Sequence, residues 1–128
     1  MLHDIALYLQ DQGVGIVGKN IFEAYLPPKP DKVLALYETG GSESELAAAI
    51  DRPTFMVMGR GKTWAEARNF AFQAYDKLNG LCEEILNGTR YLLIVATTGF
   101  LSVGTDESGR YLCSVNFRCI VEVPTSHR

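Results

Sequence analysis

Three cysteines and two histidines are the side chains of this 128-residue chain best suited to nucleophilic or metal chemistry. Cys82, Cys113 and Cys119 show no CxxC spacing and have no histidine pair nearby, which argues against a metal site and against a disulfide framework. Cys113 and Cys119 fall on one face of a predicted strand, about 20 Å apart, and a disulfide cannot span that distance. His3 and His127 lie at opposite ends of the chain. We therefore predict free, buried thiols and no metal site.

Two other patterns could in principle bind a ligand. Residues 13–18 read GVGIVG, but a dinucleotide-binding loop follows a strand and opens a helix, and this segment follows a helix and opens a strand. Asp31, Glu38 and Asp51 could converge in the fold, although solvated surface charge explains them more simply. No serine lies in a nucleophile elbow. The residues predict no enzyme and no cofactor, and a small ligand-binding or enzymatic α+β domain of unknown substrate is the alternative.

Composition limits the remaining classes of function. The chain carries 12 basic and 15 acidic residues, a net charge of -3, with no cluster of bases, so sequence-specific nucleic-acid binding is not expected. Its hydrophobic content of 47% is enough for the core of a single domain over residues 1–128. No apolar run approaches the roughly 20 residues that span a bilayer, and the first residues do not form a signal peptide. We expect a chain that does not enter membranes.

The segment 63–80, TWAEARNFAFQAYDKLNG, predicts an amphipathic helix with both ends encoded. Thr63 and Glu66 have the spacing of a capping box, and Asn79-Gly80 favours the left-handed turn that ends a helix. The apolar residues that recur at helical spacing are Trp64, Ala67, Ala71, Ala74, Tyr75 and Leu78. We expect this face to lie across a sheet.

The other elements follow from periodicity and turn chemistry. A first helix is predicted over residues 1–12, and residues 81–86 are read as a short helical turn. Strands are predicted over residues 21–26, 32–38, 54–59, 90–98 and 110–123. In the last of these, the residues predicted to face the core are Tyr111, Cys113, Val115, Phe117, Cys119, Val121 and Val123. The expected fold is α+β: a largely antiparallel or mixed sheet, an N-terminal and a central helix packed on it, and a long C-terminal β-hairpin.

Two segments are not explained by the predicted core, and we expect them to form interfaces. The acidic residues 39–52 predict a mobile surface loop that could contact partners. The strand over residues 110–123 would extend about 43 Å, beyond the diameter of about 36 Å for a compact domain, so the hairpin must bend or project. A projecting tip would expose apolar side chains, which usually marks a partner site. The candidate interface residues are Ser42, Glu43, Ser44, Glu45, Phe100, Leu101, Val103, Asp106 and Glu107.

Several short motifs occur in order at compatible spacings over nearly the whole chain. They are QDQGVG at 10–15, PPKPD at 27–31, ALYETGG at 35–41, RPTF at 52–55, NGTRYLL at 87–93 and SVNF at 114–117. With these motifs the chain resembles the phage minor capsid or tail terminator (tail completion) proteins of tailed phages and prophages.

The resemblance implies a structural virion protein with an α+β fold and no catalytic residues to transfer. Proteins of this family cap the tail tube and join it to the head as an oligomeric, hexameric ring. The partners implied are further copies of the chain, the tail tube protein and the head-tail connector proteins. The implied location is the head-tail junction of the virion, and the host cytoplasm before assembly.

Overall fold

The computed structural model describes residues 1–45 and 49–122. Two helices and seven strands follow one another in the order α1 (Leu2–Asp11), β1 (Ile21–Glu23), β2 (Val33–Glu45), β3 (Ile50–Gly61), α2 (Trp64–Leu78), β4 (Leu81–Leu86), β5 (Thr89–Ala96), β6 (Leu101–Thr105) and β7 (Tyr111–Glu122). Neither helix in this part of the chain is long and apolar enough to cross a membrane.

All seven strands join one sheet in the order β1-β2-β3-β7-β5-β4, and β6 lies beside β7. Among the pairs of described strands, β1 and β2 are parallel and the others are antiparallel. The last strand, β7, is central, because β3 pairs along one of its edges while β5 and β6 share the other. This confirms the predicted α+β class with a mixed, largely antiparallel sheet.

Both helices pack on the same face of the sheet. Their buried residues form one cluster with the alternating β7 residues Cys113, Val115, Phe117, Cys119 and Val121, as the alternation predicts. The ring of Phe117 stacks on that of Phe55 in β3, with 5.0 Å between the ring centroids. Tyr111, predicted to face the core, is 40% exposed. Val123 lies outside the described residues.

Helix α2 begins and ends where the sequence predicts. The hydroxyl of Thr63 accepts a hydrogen bond from the backbone N–H of Glu66, at 3.1 Å. The Glu66 carboxylate accepts one from the N–H of Lys62, so the capping box is displaced by one residue. Gly80 takes the left-handed conformation at the far end, with φ of 86°.

The buried face of α2 is rotated slightly from the predicted one. It consists of Ala67, Phe70, Ala71, Ala74 and Leu78. Trp64 and Tyr75 are only half-buried at its margin. Trp64 and Tyr75, which the sequence placed on the buried face, therefore lie at its edge, and Phe70 supplies the large core ring.

Three segments differ from the sequence predictions. Residues 81–86 form strand β4, because Asn87 and Gly88, with φ of 50° and 82°, turn the chain back so that β4 pairs with β5. The predicted strand over residues 21–26 is reduced to the three residues of β1. The predicted mobile loop over residues 39–52 is largely strand, because β2 continues to Glu45 and pairs with a β3 that begins at Ile50. Residues 46–48 of that predicted loop lie outside the described residues.

The C-terminal hairpin does not project from the body. β7 is paired with β3 from one end to the other, with Ile50 opposite Glu122 and Gly61 opposite Tyr111. The sheet itself is therefore as long as the strand. The strand length had left two alternatives open, a bent strand or a projecting tip, and the pairing with β3 over the whole strand contradicts the projecting tip.

The close contact between α2 and β3 depends on Gly59. A Cβ atom at this position would collide with the backbone carbonyl oxygen of Ala67 and would lie 3.1 Å from the backbone nitrogen of Ala71. We predict that Gly59→Ala lowers the free energy of unfolding by about 1–3 kcal/mol, because helix and strand must separate. Gly99→Ala is the matched control, since nothing lies within 4 Å of a Cβ there. Urea denaturation measures both, and equal effects would contradict the predicted close packing.

The three thiols differ in exposure. Cys113 and Cys119 are buried as predicted, whereas Cys82 is exposed on β4, so the prediction of three buried thiols was wrong for Cys82. Burial raises the pKa of the Cys119 thiol to about 12 and also raises that of Cys113. We expect a thiol reagent at neutral pH to modify only Cys82 in the native protein, and all three cysteines in denaturant. Mass spectrometry that finds Cys113 or Cys119 labelled as fast as Cys82 would contradict this.

Candidate interface surfaces

The two predicted interface segments lie at opposite ends of the same strand pair. The β2–β3 hairpin lies where Ile50 pairs with Glu122, and the turn between β6 and β7 lies where Gly61 pairs with Tyr111. Eleven residues of strand separate Ile50 from Gly61, a path of about 36 Å. The structure therefore gives two separate surfaces and does not bring the predicted residues into one site.

The first surface follows the outer part of β2. Ser42, Glu43, Ser44 and Glu45 all lie in this strand, with Ser42 opposite Arg52 and Glu45 opposite Ile50 in β3. Strand β1 pairs with β2 only at Leu34–Leu36. Among the described strands, β2 therefore has a neighbour on one side only beyond this point.

The second surface contains exposed apolar side chains on β6. Leu101 and Val103 are 44% and 48% exposed. Phe100 differs from them, because its ring lies against α2 with its centroid 5.3 Å from that of Tyr75, and the guanidinium of Arg68 lies 4.6 Å from that centroid. The expectation that Phe100 is exposed was therefore wrong: the chain folds its ring back onto the helix.

Asp106 and Glu107 occupy the turn that follows β6, and only Glu107 is exposed. The Asp106 carboxylate accepts hydrogen bonds from the backbone N–H groups of Ser108 and Arg110 and from Nε of Arg110, at 3.0, 2.9 and 2.9 Å. Burial acts to raise the pKa of this carboxyl, but the hydrogen bonds and the guanidinium outweigh it and hold the pKa below its usual value. Asp106 thus stabilises the turn.

A buried arginine joins this turn to the Pro-rich link, and sequence reasoning missed it. Arg60 is 2% exposed and donates from Nε to the carbonyl oxygen of Asp31 at 3.1 Å and from a terminal nitrogen to that of Pro30 at 2.6 Å. Its other terminal nitrogen lies 3.9 Å from the Asp106 carboxylate. Burial and the guanidinium of Arg110 lower the pKa of Arg60, while Asp106 and Asp31 oppose this. Arg60 therefore connects three segments that are distant in sequence.

Arg110 reinforces the same connection. Its guanidinium donates to the carbonyl oxygen of Pro28 at 2.5 Å and to the Asp31 carboxylate at 3.3 Å. Lys62 also reaches that carboxylate, at 3.5 Å. The link over residues 27–31 is accordingly held against the sheet by charged hydrogen bonds.

The opposite end of the sheet has an acidic hollow of about 420 Å³, whose lining includes Asp4, Glu38, Asp51 and Glu122. Of the three acids that the sequence suggested could converge, Glu38 and Asp51 meet here, whereas Asp31 lies at the other end beside Arg110. On its wall the hydroxyl of Tyr91 donates to Asp4 at 2.6 Å, and burial together with this hydrogen bond raises the pKa of Tyr91. No group of three or more His, Cys, Asp or Glu side chains in the described residues is placed to hold a metal ion.

The two ends also differ in charge. Exposed lysines surround the end that contains Arg60, namely Lys19, Lys29, Lys32 and Lys62. The far end carries the acidic hollow. Neither end carries one sign alone, because Asp31, Asp106 and Glu107 lie at the lysine end and Arg90 pairs with Glu122 beside the hollow.

Comparison with known proteins gives the following similarities. The family model described as "Bacteriophage tail terminator protein" matches residues 8–123. Among solved structures, a chain from "Virion of native gene transfer agent (GTA) particle" is similar in fold, with a TM-score of 0.64 and 19% sequence identity over 82% of this chain and 80% of that chain. A search of curated proteins finds no match.

The connection through Arg60 can be tested by a substitution that retains its apolar stem. Arg60→Met should lower the free energy of unfolding by about 2–3 kcal/mol, because the carbonyl oxygens of Pro30 and Asp31 lose a charged donor. Arg118→Met is the matched control: Arg118 is exposed on the same face of the sheet, and its replacement should change stability by less than about 0.5 kcal/mol. Chemical denaturation that ranks the two variants equally would show that Arg60 is not a structural connection.

Proposed function

This chain belongs to the bacteriophage tail terminator family, and we propose that it caps the tail tube of a phage or prophage virion and joins the tube to the head. The family match over residues 8–123 is the observation that carries the proposal, because it covers the sheet and helix α2 completely and the last turn of helix α1. It supports a structural protein of the virion, and not an enzyme.

We further propose that the chain works as a closed ring of identical copies, a hexamer. In such a ring one surface of each copy contacts a different surface of the next. The end with the acidic hollow and the end with the exposed lysines are two separate surfaces of this sheet, and a head-to-tail contact would bring lysines of one copy to carboxylates of the next.

The ring is proposed to contact the tail tube protein on one side and the head-tail connector proteins on the other. The chain would then reside at the head-tail junction after assembly in the host cytoplasm. In this arrangement Leu101, Val103 and Glu107 remain candidates for contact, because they are exposed. Phe100 and Asp106 take structural roles instead, the former packed on α2 and the latter bonded to Arg110.

The proposal predicts a specific defect when the chain is absent. A phage or prophage with its gene disrupted should make tails of irregular length that carry no head, because nothing closes the growing tube. A plasmid copy of the wild-type chain should restore tails of uniform length joined to heads. Electron microscopy of the particles measures both properties, and uniform, head-bearing tails made without the chain would refute the proposal.

A separate measurement addresses the ligand-binding alternative. Any ligand that binds only the folded protein raises its melting temperature in a saturable way. A thermal-shift screen with nucleotides and divalent metals should show no such shift if the chain is purely structural. A large, saturable shift with one compound would favour the alternative.

A further inference from the structure

Strand β6 has an open edge that nothing in the described part of the chain covers. It pairs with β7 on one side, with one register shift between Ser102 and Gly104, and all five of its residues are exposed. Unpaired strand edges are usually blocked by charge, proline or a covering segment, because free backbone groups would otherwise recruit another strand. The sequence of β6, LSVGT, has neither charge nor proline. It is therefore an edge suited to pairing.

The other outer strands of the sheet are better protected. β4 carries Glu83 and Glu84 in its middle, and Glu83 is in the left-handed region with φ of 51°, which interrupts a regular ladder. β1 has only three residues, and its first, Ile21, is bridged to Val17. β6 is also short and has a bulge at Val103, with φ of 94° at Gly104, but unlike β4 it carries no charged residue.

A second open edge lies on the outer part of β2. The contact with β1 ends where the N–H of Ala24 donates to the carbonyl oxygen of Leu36 at 2.7 Å. From Glu38 onward the described strands cover only the β3 side. The sequence of this part, ETGGSESE, contains three glutamates and no base.

The two open edges have the geometry that a head-to-tail contact needs. The two edges lie on opposite sides of the sheet and at its opposite ends. The outer part of β2 in one copy can therefore pair with β6 of the next copy. The β6 edge of the first copy then stays free to pair with β2 of a third copy. β2 runs parallel to β7, since both are antiparallel to β3, and β6 runs antiparallel to β7. A neighbouring sheet that continues in the same sense therefore presents β2 antiparallel to β6.

Charge favours the same pairing at one end of β6. The guanidinium of Arg68 lies over the ring of Phe100, directly before the strand. Asp106 and Glu107 directly follow the strand, and Asp106 is bonded to Arg110. The glutamates of β2 complement Arg68. A second copy of this chain thus supplies the strand that the β6 edge would bind and a charge opposite to that of Arg68.

We propose that the outer edge of β6 (Leu101–Thr105) pairs with the outer edge of residues 38–45 in β2 of an adjacent copy, so that the sheet continues from subunit to subunit. This is strand addition, in which backbone hydrogen bonds provide the contact and the flanking side chains select the partner. The proposal rests on the proposed ring. It adds which backbone segments form the ring's contact.

Disulfide trapping tests the pairing directly. In a Cys82→Ser background, one cysteine is placed in β6 at Ser102 or Val103 and one in β2 at Ser42 or Ser44. Opposed residues of an antiparallel pair have Cα atoms about 4.5–5.5 Å apart, within the range that a disulfide bridges. Mild oxidation of assembled tails, or of concentrated free protein, should yield a ladder of linked multimers on a non-reducing gel. Ile85→Cys in place of the β6 cysteine is the control, because Ile85 on β4 is 68% exposed, more than Val103 at 48%, and should still form no ladder.

A charge placed on the edge gives a second, independent readout. Val103→Lys should reduce incorporation into tails about tenfold or more, whereas Val103→Thr, which keeps the branched side chain, should be incorporated normally. Circular dichroism establishes that both variants are folded; if Val103→Lys is not, the disulfide ladder decides alone.

The outcomes separate this inference from the proposed function. If tails are capped as in the wild type but no disulfide ladder forms, the β6 pairing is overturned and the terminator role stays intact. The same holds if tails are capped as in the wild type and Val103→Lys is incorporated normally. If concentrated protein gives a disulfide ladder but a phage that lacks the chain still makes normal tails, the β6 pairing is supported and the proposed terminator role is overturned. No ladder in either preparation overturns the pairing.

Discussion

Backbone pairing along both edges of β7 is the interaction on which the rest of the molecule depends. β3 binds one edge over its whole length, and β5 and β6 divide the other. One face of β7 then receives α2, whose small residues Ala67, Ala71 and Ala74 permit the close approach at Gly59. Because α1 joins the same cluster, the core lies on one side of the sheet. The face opposite the helices is partly covered: Arg60, Ser114, Val33 and Ala35 are buried there, whereas Arg118 is exposed.

Charged hydrogen bonds stabilise segments at one end of the sheet, outside the hydrophobic core. Arg60 and Arg110 hold the Pro-rich link and the β6–β7 turn together at one end of the sheet. A buried arginine is costly to desolvate, and here carbonyl oxygens and a carboxylate replace its water. This arrangement gives a well-ordered end to the sheet, so the adjoining edge of β6 is presented in a definite position. A ring contact benefits from such an edge, because less conformational freedom is lost on association.

The distribution of charge is consistent with assembly of identical copies. The chain has a net charge of -3, with exposed lysines at one end of its sheet and four acidic residues around a hollow at the other. In the proposed ring, a head-to-tail contact would bring these two surfaces of adjacent copies together.

The sequence alone determined the features that depend on neighbouring residues. Helix α2 was predictable because its cap, its turn and its apolar period are all local, and the alternation of β7 identified its core face in the same way. Chain order does not specify which strands become neighbours. For that reason β4 was read as a helical turn, the outer part of β2 was read as a loop, and Phe100 was expected at the surface. β4 is a strand because it pairs with β5, and the outer part of β2 is a strand because it pairs with β3. The ring of Phe100 is held by its contact with α2. The partners of Arg60 were equally hidden, because they lie about 30 residues away along the chain. Only the tertiary structure brought them together, since burial removed the water that would otherwise have satisfied the guanidinium.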